Sequence, residues 1–89
     1  MTGFIGMDPE AVRTLARQLE AKAGEIDAIA TTLSAQIDGT TWLGRDADAF
    51  RSDWAGSYRT QLIAVATALR EASTRATANA AQQDEASRA

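Results

Sequence analysis

Eighty-nine residues is a single-domain length, close to the lower limit at which one hydrophobic core holds a fold together unaided. Hydrophobic residues make up 45% of the chain, yet 20 of them are alanine, while Leu, Ile, Val and Phe together number only 15, so bulky core-formers are scarce. The absence of Cys and His removes disulfides, thiolate and imidazole chemistry and the ordinary zinc sites, and a net charge of −3 with scattered arginines leaves no nucleic-acid footprint.

So few bulky side chains also suit a disordered chain, but disorder goes with a large net charge, and alanine heads the helix-propensity ranking. Helix is therefore expected. Met1 to Met7 has neither a positive leader nor a long apolar run, and nowhere do eighteen apolar residues run together, so neither a signal peptide nor a membrane span is expected.

The only proline marks the first boundary. Asp8 as N-cap, Pro9 at the first helical position and Glu10 behind it each favour a helix start, and Met7 with Val12 has the spacing of a hydrophobic staple. Val12, Leu19, Ile26 and Leu33 then recur every seven residues, flanked by Leu15 and Ile29 on one side and by Ala16, Ala23, Ala30 and Ile37 on the other. Arg13, Arg17, Glu20, Lys22, Glu25 and Asp27 occupy the opposite, solvated face, which predicts helix one over about 8–37.

Asp38-Gly39-Thr40-Thr41 breaks the periodicity, and Trp42-Leu43-Gly44 follows, so a short turn spans about 38–44. Ala47, Phe50, Trp54, Tyr58, Leu62, Val65, Leu69, Ala72 and Ala76 then repeat at three or four residues, predicting helix two over about 45–77. Residues 78–89 are alanine and polar with no bulky side chain, and are expected to form a flexible tail unless a partner holds them.

Two long helices with a short link make an antiparallel hairpin, an all-α fold in which facing residues have numbers of constant sum. Leu33 with Phe50 gives 83, while Ile26 with Tyr58, Leu19 with Val65 and Leu15 with Leu69 give 84, centring the turn on Trp42. The heptad spacing predicts a left-handed, coiled-coil-like crossing. Fifteen bulky aliphatic and Phe side chains with two Trp are too few to hold a lone hairpin, so a second hairpin, giving a four-helix bundle, is expected.

Context gives the Trp-x-Gly tripeptide its meaning. It lies mid-chain between two long helices and continues as Trp42-x-Gly44-x-x-Ala47-x-x-Phe50-x-x-x-Trp54. Over about Asp8 to Ala76 the chain closely resembles the WxG family of small type VII secretion substrates, also called early-secreted-antigen-like proteins. On its own chemistry Gly44 offers backbone angles closed to other residues, Trp42 covers the hairpin end, and Phe50 and Trp54 read as core or partner interface. Gly24 and Gly56, at similar heights, fit either close helix approach or sequence drift, and Glu71 with Arg75 an i, i+4 pair of minor value.

The resemblance implies function by binding, with no cofactor and no metal. It implies a hairpin that dimerises antiparallel, with itself or with a paralogous hairpin encoded beside it, and that leaves the cytoplasm folded through a membrane ATPase-driven machine without a cleaved signal peptide. Family members combine the Trp-x-Gly turn of one subunit with a Tyr-x-x-x-Asp or Tyr-x-x-x-Glu tail of the other. Trp42 and Gly44 map onto the first half; the only tyrosine, Tyr58, is followed four residues on by Leu62. The chain is therefore expected to be the member of a heterodimer whose partner supplies the tail. A homodimeric substrate, an adaptor or chaperone escorting a larger toxin, and a coiled-coil scaffold outside secretion are the alternatives. An enzyme is not expected, since only carboxylates, Lys22, Tyr58 and hydroxyls could serve one.

Overall fold

The computed structural model describes residues 6–88, which form two antiparallel helical rods with no strand among them. The first rod is α1, Pro9–Gly39; the second runs through α2, Arg45–Asp53, a five-residue π-helical segment, Trp54–Tyr58, and α3, Arg59–Arg88. The molecule measures 66 × 16 × 14 Å between Cα atoms.

Helix α1 starts as its sequence dictates: the Asp8 carboxylate accepts from the amides of Glu10 at 3.0 Å and Ala11 at 3.4 Å, and Val12 N donates to Asp8 O at 3.0 Å. It ends at an extended Thr40, whose hydroxyl donates to Gln36 O at 2.6 Å. Gly44, at φ 118° and ψ −179°, precedes α2 in a conformation that an L side chain strains to adopt. Asp46 and Asp48 in the first turn complement the positive helix end in place of a side-chain cap.

The seam between the rods is made of alanine. Ala16, Ala23 and Ala30 on α1 and Ala66, Ser73 and Ala80 on α3, each set spaced by seven residues, are all buried, with Ala16 opposite Ser73. Ser73 Oγ crosses to donate to Ala16 O at 2.8 Å. The expected central row, Val12, Leu19, Ile26 and Leu33, lies one step round the helix and is only half-buried. Small side chains at the seam let the axes come close, and the larger ones are displaced to its edge. Trp54 is the one bulky side chain buried among the described residues, its indole Nε1 donating to Ser34 Oγ at 2.9 Å.

The register also differs from the expected sums of 83 and 84. Ser34 with Trp54 and Ile37 with Arg51 sum to 88, and Ala16 with Ser73 to 89. The shift follows from the extended linker, which rises faster per residue than a helix and carries the chain past the end of α1 before α2 begins. The step from 88 to 89 coincides with the π segment. Ala47 and Trp54 are seven apart, as are Leu62 and Leu69, but Trp54 to Leu62 takes eight, and the wider π turn absorbs that extra residue.

The last stretch corrects a second expectation: helix continues to Arg88 instead of ending near Thr77. Ala80 occupies the next seam position after Ser73 and is fully buried, and Asp84 pairs with Arg13 across the rods. Bulk is not needed to hold a helix whose seam residue is alanine. Gly24 and Gly56 do not mark close approach either, since a Cβ at each would meet open space. Glu71 and Arg75 form no ion pair; both line the outer surface of α3.

Candidate interaction surface

Helical phase sorts the remaining side chains onto two faces. Glu20, Asp27 and Ser34 each follow a seam alanine of α1 by four residues, and Arg70 and Asp84 stand in the same relation to Ala66 and Ala80. In an antiparallel pair these positions share one side, and they meet there. Arg13 bonds Asp84 and also Glu10 at 2.7 Å; Arg70 bonds Asp27 and reaches Glu20 at 3.6 Å. Asp84 and Asp27 hold the guanidiniums of Arg13 and Arg70 above their ordinary pKa, chiefly through these hydrogen bonds.

The opposite side is apolar along most of its length. Leu15 and Ile29 stand one residue before seam alanines of α1, with Leu19, Ile26 and Leu33 three after. Val65 and Ala72 stand one before the α3 seam, and Leu69 and Ala76 three after. Leu15, Ile29 and Val65 are each 49% exposed. Leu33, Ile37, Phe50 and Tyr58 lie toward the turn, while Val12, Leu15, Leu19, Ala72 and Ala76 lie toward the open end.

At the turn the apolar surface is continued by an ordered cluster. The Trp42 and Phe50 rings stand 5.8 Å apart, tilted by 48°, and with Leu33, Gln36, Ile37 and Thr40 they line a shallow depression of about 190 Å³. Leu43 is 87% exposed. Arg51 lies behind, its guanidinium carbon 6.0 Å from the centre of the Trp42 ring.

Residues picked from the sequence thus separate. Trp42, Phe50, Leu15, Ile29, Tyr58 and Val65 are exposed and, with Gly44 shaping the turn, belong to surface; they are not the core of the hairpin. Val12, Leu19, Ile26, Leu33, Leu62 and Leu69 form the half-buried border, and only Trp54 is internal. Ser34, Ser73 and Arg51 were not singled out, although Arg51 stands one residue after Phe50 and opposite the end of a helix that has no basic residue in its last turn. No described helix is long and apolar enough to cross a membrane, and the described residues hold no group of three or more acidic side chains placed for a metal. No family profile, curated protein or solved structure matches the chain.

Proposed function

We propose that the chain is a small secreted hairpin of a type VII, WxG-type secretion system that acts by dimerisation, its apolar face completing a four-helix bundle against a paralogous hairpin. The observation that carries this reading is the division of the molecule into one ion-paired face and one apolar face left open along nearly the whole rod. A surface of that kind marks a protein-binding site. The Trp42-Leu43-Gly44 turn, projecting between two long helices, supports assignment to secretion and is read as half of the export signal. The partner supplies the other half, because Tyr58 lies within the π segment and lacks an acidic residue four positions on. In this reading the dimer is handed to a membrane ATPase and leaves the cytoplasm folded, with no catalytic step, cofactor or metal of its own.

Co-expression with the adjacent paralogue tests the reading. The mixture is expected to have the mass of a one-to-one dimer, to melt above either chain alone, and to reach the medium only when the secretion ATPase is intact. A mixture melting no higher than its parts, with this chain already dimeric alone, refutes the heterodimer.

A further inference from the structure

The five-residue linker is held chiefly from outside. Among the described residues its only main-chain hydrogen bond to a helix is Asp48 N to Gly44 O at 3.0 Å. The carbonyls on either side of Thr41 are taken instead by one side chain reaching back from α2. Arg51 Nη2 donates to Thr40 O at 2.9 Å and Nη1 to Trp42 O at 2.8 Å, while Nε and Nη2 both donate to Ile37 O at 3.2 Å. Ile37 O belongs to the last turn of α1, where carbonyls have no intrahelical partner and the helix end is negative. The same guanidinium lies beside the Trp42 ring, whose other neighbour is Phe50.

We infer that Arg51 is the positioning residue of the Trp42–Gly44 turn: its planar fork ties the end of α1, the linker and the Trp42 ring into one rigid unit. The recognised apolar tip is thereby formed before any receptor meets it. The inference rests on the export reading only for its functional consequence; the positioning itself is a property of the chain. Lysine cannot replace this residue, because an ammonium on a flexible stem is a point charge without the fixed, planar donor array that spans three carbonyls. Gly44 sets the direction in which the chain leaves the turn, and Arg51 fixes where the turn sits. An ordered tip saves the receptor the entropy of immobilising a loop, so loss of the fork weakens recognition without removing any contacting side chain.

The experiment uses the full chain in a Trp54→Phe background; dimer mass and export are read with its partner, and quenching on the chain alone, where Trp42 is the only indole. Arg51→Ala, Arg51→Lys and the distant control Arg17→Ala are compared by helix content, dimer mass, acrylamide quenching of Trp42 and export, with Trp42→Ala as the export reference. Both Arg51 variants are expected to keep helix content and dimer mass, to raise Trp42 quenching, and to export as poorly as Trp42→Ala; Arg17→Ala is expected to change none of these. Unchanged Trp42 quenching in Arg51→Ala, or wild-type quenching and export in Arg51→Lys, overturns the inference. If Arg51→Ala fails to fold, Arg51→Lys, which keeps the charge at the helix end, decides alone. If Trp42→Ala exports normally, the secretion reading fails, while quenching still decides the positioning role.

Discussion

Replacing Ala23 by leucine isolates what holds the two rods together. Ala23 is completely buried in the middle of the seam, and Ala66 and Ala16 are 0% and 3% exposed. Three further carbon atoms have no room there unless the rods separate. Leucine and alanine differ little in helix propensity, so the change acts on packing rather than on the helix itself. Overpacking of this kind costs about 1–3 kcal/mol. For a domain of this size each kcal/mol lowers the melting temperature by roughly 4–8 °C, giving a fall of about 4–24 °C. The measurement is thermal unfolding followed by circular dichroism at one fixed protein concentration, because any association would make the midpoint concentration-dependent. Ala35→Leu, exposed on the outer side of α1, is the control and is expected to move the midpoint little. If Ala23→Leu shifts it no more than Ala35→Leu does, the alanine seam is not what joins the helices, and the Val12–Leu33 row has to be restored to that role.

Gly44→Ala is expected to cost about 1–3 kcal/mol through backbone strain alone, since a Cβ there meets nothing within 4 Å. D-alanine introduced at position 44 by chemical synthesis should recover wild-type melting, and failure to do so would point to a cause other than φ. Deleting Gly56 removes the extra residue of the π segment and should leave a well-folded hairpin, whereas deleting Ala68 turns everything after it by about 100°, taking Ser73 and Ala80 off the seam. Comparable melting of the two deletions would contradict the account of the π turn. Ending the chain at Thr77 removes Ala80 and Asp84, so hydrogen-exchange protection across Val12–Ala16 should fall and the melting temperature with it. Leu15→Lys and Val65→Lys, on exposed positions, should preserve the helices of the isolated chain but abolish association, as read by mass in solution.

Much of the helix layout could be read from single residues with a local cause. Asp8 and Pro9 announce the start of α1, and Gly44 announces an unusual backbone before α2, because caps and positive φ depend on few neighbours. Which stripe of α1 forms the seam was harder to read. Two heptad rows run side by side, one bulky and one alanine, and hydrophobicity favours the first, while close contact between two helices selects the second. The continuation of α3 to Arg88 was missed for the same reason: Ala80 carries no signal of bulk, although it repeats the interval of Ala66 and Ser73. The π turn leaves only an eight-residue step that also fits an irregular α-helix, and the register was displaced because the rise of the extended linker is not encoded in the helical spacing. At the interaction surface, Trp42 and Gly44 were legible as a motif, whereas Arg51 depended on a linker geometry that no spacing encodes.

The alanine seam also sets the girth of the chain. Two α-helices abreast, side chains included, span about 20–24 Å, and the seam leaves nothing thick between them to widen that figure. Leucines in place of the three α1 alanines would push the two rods apart and thicken the chain along its whole shared length.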